Sequence, residues 1–363
     1  MAIIKFGWNE IRSRQFEPYA KQGLIPGRVT AVFSWQYEII SSLGKGRGEL
    51  TGRLRYDALY AAKRPAVGDW VAVSPSAESS YLIHAVLPRT SCLQRQKVDG
   101  DVEGQVVACN ADVCFIIQAL QGDFNLPRLD RYIAFAANAQ VSPVIVLTKA
   151  DLVPEVQELG EQVRRIYPDI PVFIVSSLTG AGIMEIREQL EPFKTYVAVG
   201  SSGVGKSTLL NVLSGTELMK TAEVREDDQR GRHTTTHRQL FSLPNGALYI
   251  DTPGIRELAL FEYDGLSSSF RDIEELALKC KFRDCGHRNE PGCAVQRAIR
   301  AGNLDEKRLL SYDKMKREEN TYQSKQILLN KKVSKAKIKR SKVHYKDYVR
   351  GGAKNSWKSD ERV

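Results

Sequence analysis

The sequence contains no apolar run of eighteen residues, which is about the shortest stretch that crosses a bilayer as a helix. Its first residues, from Met1 to Trp8, lack the basic, apolar and small-residue order of a secretory signal. Six cysteines among 363 residues argue against a disulfide framework. We therefore expect a cytoplasmic protein with no membrane partner, long enough for two or three domains.

Net charge is nearly absent from the first 330 residues. From Lys331 to Val363, twelve Lys or Arg stand against three Asp or Glu, which gives a net +9 of the +10 carried by the whole chain. A basic segment of this kind is usually solvated or disordered unless a polyanion binds it. We treat residues 331–363 as a basic tail.

Short runs of β-branched and aromatic residues fill the stretch from about Gly27 to Arg95. The predicted strands cover residues 28–33, 37–40, 50–55, 67–73 and 81–87. Five short strands, broken by Gly-rich and Pro-containing segments, predict a small antiparallel barrel of the oligonucleotide-binding type within residues 1–95. Many such barrels bind no nucleic acid, so the fold alone does not establish RNA binding.

The pattern then changes to buried apolar strands that alternate with helices. Strands are predicted at 111–118, 142–148, 172–175 and 196–199, and helices at 126–139, 154–166 and 183–190. Continuous apolar strands with helical crossovers predict a parallel sheet covered on both faces. The ligands of such a sheet bind at the carboxyl ends of its strands.

A phosphate-binding loop follows one of these strands. Gly200 to Ser207 reads G-x-x-x-x-G-K-S, between an apolar run that ends at Val199 and a helical segment that begins at Thr208. The glycines let backbone N–H groups surround polyphosphate, Lys206 neutralises the outer phosphates, and the Ser207 hydroxyl is a ligand for Mg²⁺. This context disfavours the alternative of a chance glycine-rich turn.

Two other strand ends carry signals for guanine. Residues 148–151, T-K-A-D, are similar to the Asn-Lys-x-Asp motif of GTPases, whose carboxylate accepts hydrogen bonds from guanine N1 and N2. Adenine offers no such donor pair, so Asp151 predicts a preference for guanine. Thr148 replaces the usual Asn and is expected to affect affinity more than specificity. Ser176 and Ser177 resemble the second, backbone-mediated guanine contact.

The segment after the phosphate loop contains groups for the γ-phosphate and its metal. Residues 231–237, G-R-H-T-T-T-H, have no periodicity and indicate a first switch in which Thr235 or Thr236 completes the Mg²⁺ shell. The sequence D-T-P-G at 251–254 follows another strand. There Asp251 would hold the metal through water, and the Gly254 amide would contact the γ-phosphate. The alternative for D-T-P-G is a tight turn.

The order of these motifs is permuted. The guanine motifs at 148 and 176 precede the phosphate loop at 200, whereas in ordinary GTPases they follow it. A parallel sheet tolerates this exchange because strand ends meet in space whatever route connects them. Both switches then lie at the C-terminal end of the domain, next to the module that follows.

Three cysteines and a histidine cluster in that module. They are Cys280, Cys285, His287 and Cys293, spaced C-x₄-C-x-H-x₅-C. Three thiolates and one imidazole suit a closed tetrahedral Zn²⁺ site, whereas unrelated reduced cysteines are the alternative. Cys92, Cys109 and Cys114 lack this clustering and are expected to be packing residues.

Taken together, these motifs resemble the RsgA/YjeQ family of bacterial small-ribosomal-subunit biogenesis GTPases, over about residues 25–325. The resemblance implies a multidomain fold: an OB-type β-barrel (1–95), a circularly permuted α/β P-loop GTPase with a parallel sheet (96–265), and an α-helical zinc-binding module (266–330). It also implies hydrolysis of GTP to GDP and phosphate, stimulated by the 30S subunit during its late assembly. The implied partners are 16S rRNA and GTP/GDP, and a monomer is expected.

The same resemblance suggests roles for individual residues. Ile255 stands where many GTPases place a water-orienting Gln, and His233 is similar to the family's proposed substitute, the alternative being an exposed loop histidine. The candidate catalytic residues are His233, Lys206, Thr235, Thr236, Asp251 and Gly254. The nucleotide-binding candidates are Thr148, Lys149, Ala150, Asp151, Ser176, Ser177, Val199, Gly200, Ser201, Ser202, Gly203, Val204, Gly205, Lys206 and Ser207, the last also a magnesium ligand.

Two other functions remain open on the sequence alone. One is an RNA-binding module that uses GTP only as an affinity switch, with turnover incidental. The other is an ATP-using P-loop enzyme that modifies a small molecule, which Asp151 disfavours.

Overall fold

The computed structural model describes residues 2–33, 36–57, 64–76, 79–95, 105–219, 238–254, 266–321 and 323–324. The chain divides into two compact units, Met1–Leu309 and Leu310–Val363. Within the described ranges, no helix is long and apolar enough to cross a membrane. The first unit contains the barrel, the parallel sheet and the cysteine cluster.

Five strands close into a barrel near the N-terminus. They are β1 (Ile25–Phe33), β2 (Gln36–Ser41), β3 (Gly44–Leu50), β4 (Trp70–Pro75) and β5 (Ser80–Val86). β1 pairs with both β2 and β4, and the ring closes through β2–β3, the parallel pair β3–β5, and β5–β4. This closure leaves a barrel without a free edge. The predicted five-stranded barrel is confirmed.

The prediction of a strand at 50–55 is wrong. The strand is the glycine-rich segment Gly44–Leu50, and a short helix, α2 (Gly52–Asp57), follows it. A Cβ atom on Gly46 would lie 2.5 Å from the Ser79 carbonyl oxygen, so glycine is required where the backbone approaches so closely. Glycines that resemble strand breakers in the sequence therefore belong to the strand.

Apolar side chains fill the barrel and cover one outer face. The interior cluster consists of Val29, Tyr37, Ile39, Val71, Val73, Tyr81 and Ile83. Outside, helix α1 (Glu10–Ala20) places Phe16 beside Trp70, and Trp8 packs edge-on against Trp70 at 4.9 Å between ring centroids. A 3₁₀ turn at Ala2–Phe6 precedes α1. Trp70 thus anchors the N-terminal segment on the barrel.

A two-stranded ribbon, β6 (Cys92–Arg95) and β7 (Gln105–Cys109), leads from the barrel to the central sheet. The sheet strands are β8 (Val113–Ala119), β9 (Ser142–Thr148), β10 (Val172–Ile174), β11 (Thr195–Val199), β12 (Gln239–Ser242) and β13 (Leu248–Asp251). Their order is β10-β9-β8-β11-β13-β12, and only β12 runs antiparallel to its neighbour in this part of the sheet.

Helices α3 (Leu126–Asn138), α4 (Val156–Ile166), α5 (Ile183–Gln189) and α6 (Lys206–Ser214) connect or follow the parallel strands. The predicted helices at 126–139, 154–166 and 183–190 are confirmed. The chain proceeds from β8 outward to β10 and then crosses back to place β11 on the other side of β8. This reversal creates a switch point between β8 and β11, where such sheets bind ligands.

Sheet pairing continues from the central domain into the barrel. Gln239 of β12 is the partner of Ala31 in β1, and it is also the partner of Asp251 in β13. The result is one eleven-stranded sheet that includes both domains.

Short helices follow the central sheet: α7 (Leu266–Ser269), α8 (Arg271–Ala277), α9 (Ala294–Arg300) and a helix over residues 306–321. Arg308 joins this region to α3. Its guanidinium donates to Asp130 at 2.9 Å, to Asp272 at 2.6 and 2.9 Å, and to the Ser269 carbonyl at 2.7 Å. Burying a cation is costly, and here the two carboxylates and the carbonyl oxygen compensate by accepting its hydrogen bonds.

Arg28 in β1 is a second buried cation, only 2% exposed. It donates to the carbonyl oxygens of Phe6, Gly68 and Asn110 and to the Thr195 hydroxyl, the last at 2.9 Å. Burial lowers its pKa to about 10, and Asp112 and Asp69 oppose this shift. The guanidinium therefore stays charged at neutral pH and links the N-terminal segment, the barrel and β11.

We predict that Arg28→Met destabilises the folded protein by about 3 kcal/mol or more, because several buried acceptors lose their donor and each costs about 1–3 kcal/mol. The midpoint of urea unfolding, followed by tryptophan fluorescence, should fall accordingly. Arg14→Met is the matched control, since Arg14 forms an ion pair with Glu10 in which both side chains are more than 80% exposed, and such pairs contribute about 0–1 kcal/mol. Equal midpoints for the two variants would refute the structural role of Arg28.

Candidate nucleotide-binding site and metal centre

The phosphate loop begins at the end of β11, which is buried along its whole length between β8 and β13. Val199 ends the strand, and α6 begins at Lys206 with Gly205 in a left-handed conformation at its cap. The loop residues 200–205 therefore lie at the switch point, with the N-terminus of α6 facing them. A helix N-terminus and a ring of loop amides suit a polyphosphate.

Lys206 is folded back over this loop. Its ammonium donates to the carbonyl oxygens of Gly200 at 3.0 Å and Ser201 at 2.6 Å. Burial lowers the pKa of Lys206 to about 8, while Asp251 and Asp123 act in the opposite direction. Phosphate charge placed beside the ammonium would favour its protonated form.

A hydroxyl and a carboxylate meet beside the loop. Ser207 donates to Asp251 at 3.1 Å, and Asp251 is fully buried at the end of β13. Hydroxyl and carboxylate oxygens are the hard ligands that Mg²⁺ takes, usually together with water and phosphate. These two predicted residues are therefore together, and they fit a magnesium ion that accompanies a nucleotide.

The D-T-P-G segment packs directly on the phosphate loop. Thr252 donates to the Ala198 carbonyl oxygen at 2.6 Å. A Cβ on Gly254 would lie 2.6 Å from the Ser202 amide nitrogen, so only glycine fits there. Gly254 therefore lies against the phosphate loop, where its amide is predicted to contact the γ-phosphate.

The two guanine motifs also come together. Lys149 adopts a left-handed conformation (φ 59°), and Asp151 follows in an exposed 3₁₀ turn at Ala150–Leu152. The hydroxyl of Ser176, which is buried, donates to the Asp151 carboxylate, and the Ala150 amide donates to the Val175 carbonyl at 3.2 Å. The second motif therefore orients the carboxylate that would read the base.

Thr148 connects the guanine motif to the phosphate loop. Its side chain is buried, and its hydroxyl donates to the Val204 carbonyl oxygen at 2.6 Å, with the Gln118 carbonyl oxygen 3.3 Å away. A threonine can therefore tie these two loops together in place of the usual Asn. That the replacement weakens nucleotide affinity stays a prediction.

Sequence reasoning missed a cluster at the end of β8. Arg128 donates to the Ser201 hydroxyl at 2.9 Å and forms an ion pair with Asp123. Gln118, fully buried, exchanges hydrogen bonds with the backbone of Asn125 at 3.1 and 3.2 Å and so fixes the start of α3. The polar residues directly after β8 are the signal that could have identified this support of the phosphate loop.

Several predicted residues cannot be placed. His233, Thr235 and Thr236 lie in the segment 220–237 and Ile255 in the segment 255–265, both outside the described residues. Their roles stay predictions.

The cysteine cluster lies between α8 and the start of α9. The Cys280 and Cys293 sulfurs are 3.9 Å apart, and each lies 3.6–3.7 Å from Nδ1 of His287. The ligand atoms of all four residues, Cys285 included, lie within 4.8 Å of one another. Metal bonds of about 2.0–2.3 Å at tetrahedral angles give ligand spacings of about 3.5–3.8 Å, so this set fits one metal ion.

Backbone groups support the cluster. The Ala294 amide donates to the Cys280 sulfur at 3.3 Å, and the Gln296 amide donates to the Cys293 sulfur at 3.4 Å. The Gln296 side chain donates to the His287 carbonyl oxygen at 2.7 Å, which holds His287 in its left-handed conformation. Such outer bonds orient metal ligands.

A phosphate loop and the candidate residues for magnesium and guanine lie along one edge of the sheet. Because the guanine motifs come first in the chain, this is the arrangement of a circularly permuted P-loop GTPase. Comparison with known proteins agrees. A family model described as "RsgA GTPase" matches residues 86–261, and one described as "50S ribosome-binding GTPase" matches residues 195–331.

Relatives cover almost the whole chain. The Small ribosomal subunit biogenesis GTPase RsgA 2 of Lactiplantibacillus plantarum is 42% identical over 338 residues, 93% of this chain and 94% of that protein. The RsgA of Opitutus terrae is 41% identical over 331 residues, 88% of this chain and 90% of that protein. The chain belongs to the RsgA family of GTPases and is a GTP hydrolase.

Two solved structures share the fold. YjeQ from Thermotoga maritima has a TM-score of 0.59 and 27% identity, covering 82% of this chain and 98% of its own. YloQ, described as a circularly permuted GTPase, has a TM-score of 0.58 and 25% identity, covering 82% and 96%. The permuted order of motifs is confirmed.

We predict that Asp151→Asn exchanges the base preference. The amide can donate to the C2 carbonyl of xanthine, but it cannot accept hydrogen bonds from both guanine donors. GDP should therefore bind about 10- to 100-fold more weakly, a loss of about 1.5–3 kcal/mol. Xanthosine diphosphate should bind more tightly than it does to the wild type. Titration with fluorescent nucleotide analogues measures both. Asp169→Asn, which removes an exposed partner of Arg271, is the matched control. Unchanged GDP affinity in Asp151→Asn would exclude this carboxylate as the base reader.

Proposed function

We propose that this GTPase binds the 30S ribosomal subunit through 16S rRNA, acts in late subunit assembly, and hydrolyses GTP faster on the particle. GTP binding and hydrolysis are supported by one observation. Ser207 lies against Asp251, and Asp151 lies against Ser176, along one edge of the sheet. The names of its relatives, small ribosomal subunit biogenesis GTPases, support the ribosomal half. We also propose a cytoplasmic monomer.

The residues of the site divide the work between binding and hydrolysis. Lys206 and the loop amides would hold the β- and γ-phosphates. Ser207 and Asp251 would hold Mg²⁺, which would supply positive charge against the negative charge that develops during phosphoryl transfer. The Gly254 amide would contact the γ-phosphate. We propose that Thr235 or Thr236 completes the metal shell and that His233 positions the attacking water.

The domain boundaries at residues 95, 265 and 330 are part of this proposal. The OB-type barrel supplies one candidate rRNA surface and the basic tail, residues 331–363, a second. Since both switch segments precede α7, nucleotide state can be passed to the module that contains the cysteine cluster.

We propose that the metal of that cluster is Zn²⁺ and that its role is structural. Three thiolates and one imidazole favour zinc over hard cations such as Mg²⁺. Four protein ligands leave no open position for a water or a substrate. The metal would then stabilise the turn between α8 and α9 rather than take part in GTP hydrolysis.

We predict one zinc ion per chain, measured by mass spectrometry of metals, and loss of that zinc in Cys285→Ser. Cys114→Ala is the control, because Cys114 is buried in β8 of the central sheet. Removal of zinc by a strong chelator should lower the melting temperature of the wild-type protein, since metal binding contributes to folding. Zinc content that is the same in Cys285→Ser and the wild type would refute the assignment.

The test of the proposed function is turnover of GTP and ATP by the purified protein, alone and with 30S, 50S or 70S particles. We expect stimulation of GTP hydrolysis by 30S of about 10²-fold or more, as when a partner orders an incomplete GTPase site. Lys206→Ala should abolish it, and His233→Ala should reduce the stimulated rate while nucleotide still binds. GTP-dependent 30S binding without stimulated turnover would instead establish the affinity-switch function.

A further inference from the structure

Two cysteines outside the metal cluster face each other across the β6–β7 ribbon. Cys92 and Cys109 are direct partners in this antiparallel pair, and their sulfurs are 3.5 Å apart. Both are free thiols. Opposed Cα atoms in antiparallel strands lie about 4.5–5.5 Å apart, which is within the range of about 4.4–6.8 Å that a disulfide spans. A bond between the sulfurs therefore requires little backbone movement.

The two thiols have different surroundings. Cys92 is partly exposed and lines a cavity of about 290 Å³, together with Arg89 and Gln94. The Gln94 amide donates to the Cys92 sulfur at 3.1 Å, and the Arg89 guanidinium lies 3.7 Å from it. Both groups stabilise a thiolate, and the cavity gives small molecules access to it.

Ionisation favours Cys92 over its partner. The pKa of Cys92 is lowered to about 7, first by the hydrogen bond from Cys109 and further by Arg89 and Gln94, against the effect of burial. Burial raises the pKa of the Cys109 thiol well above its usual value. One member of the pair is thus an accessible thiolate and the other a buried thiol within reach of it.

Packing alone does not account for this arrangement. Cys114, the second residue of β8, is also buried, but burial raises its pKa and no described sulfur lies beside it. Cys92 differs because it has a charged neighbour, a cavity and a second thiol. Accessible low-pKa thiols next to a second cysteine are typical of sites that peroxides oxidise reversibly. The sequence-based prediction that all three are packing residues is therefore too simple for Cys92 and Cys109.

We propose that Cys92 and Cys109 form a peroxide-reactive dithiol that closes to an intramolecular disulfide. The Cys92 thiolate attacks one oxygen of hydrogen peroxide, so an S–O bond forms, the O–O bond breaks and hydroxide leaves. The Cys109 sulfur then attacks the Cys92 sulfenic acid. The S–S bond forms, the S–O bond breaks, and water leaves with the thiol proton.

The electrons balance in this sequence. The two thiols lose two electrons in forming the disulfide, and one hydrogen peroxide gains these two electrons. The hydroxide takes up the proton that the Cys92 thiol released, so that the peroxide becomes two waters. Reaction with a low-molecular-weight thiol would reverse the oxidation by thiol–disulfide exchange. No metal or cofactor is needed.

The position of the pair gives the modification a structural context. Cys109 directly precedes Asn110, which accepts hydrogen bonds from Arg12 and Arg28, and β8 begins three residues later. The disulfide would therefore form at the covalent connection between the barrel and the central sheet.

The test uses the full-length, zinc-loaded protein treated with one equivalent of hydrogen peroxide at pH 7. Non-reducing digestion with trypsin and mass spectrometry should show a cross-link between the Cys92 and Cys109 peptides. Because Cys109 and Cys114 lie on one tryptic peptide, the Cys114→Ser variant is digested in parallel to locate the bond. A chromogenic chelator reports zinc release, which separates this reaction from oxidation of the metal cluster.

Variants then distinguish the two roles. In Cys109→Ser the sulfenic acid should persist at Cys92 and be trapped by dimedone, whereas in Cys92→Ser neither dimedone nor disulfide should appear at Cys109. A measurement on the unmodified sequence needs no variant to fold: iodoacetamide should label native Cys92 at least about tenfold faster than Cys109 or Cys114, since reactivity follows thiolate content and access. Equal labelling rates, or peroxide oxidation confined to the metal cluster, would overturn the proposal.

Discussion

The hydrogen bonding of one buried guanidinium holds the two main domains together. Arg28 extends from the barrel to the N-terminal turn, to the junction at Asn110 and to Thr195, the first residue of β11. A charge in such a place is costly unless it is hydrogen-bonded, and the four acceptors around Arg28 come from segments far apart in sequence. The barrel, the junction and the strand that ends in the phosphate loop are therefore fixed by one side chain.

The strand order explains how a permuted chain still brings its guanine and phosphate motifs together. The candidate guanine residues come from the end of β9 and from the segment after β10, the phosphate loop follows β11, and Asp251, the candidate metal carboxylate, ends β13. Each group is at a carboxyl end, and the switch point between β8 and β11 brings them to the same edge. The hydroxyl of Thr148 then joins the guanine and phosphate loops directly. Geometry at the sheet edge, rather than order along the chain, is what nucleotide recognition requires.

Much of this could be predicted from sequence because the signals are local. The phosphate loop, the T-K-A-D segment and the cysteine spacing each combine residue types that a single chemistry requires, and the apolar periodicity predicted the parallel sheet. Predictions failed where distant contacts decide the outcome. In the sequence, the glycines of β3 look like residues that end a strand. The structure shows that Gly46 belongs to the strand because the Ser79 backbone packs too closely for a side chain. The Arg128 contact to Ser201 and the meeting of Cys92 with Cys109 depend on residues 73 and 17 positions apart, which no local pattern reveals.

The double pairing of Gln239 has a consequence for how the domains can move. Its backbone lies between Asp251, on the metal side, and Ala31 of the barrel. Two strand spacings, about 10 Å, thus separate Asp251, the candidate magnesium carboxylate, from the barrel wall. Since strand pairing tolerates little sliding, the barrel cannot rotate away from the nucleotide domain at this point without breaking the pairing at Gln239. The two domains therefore belong to one sheet that passes through β12, the neighbour of the strand that carries the candidate metal carboxylate.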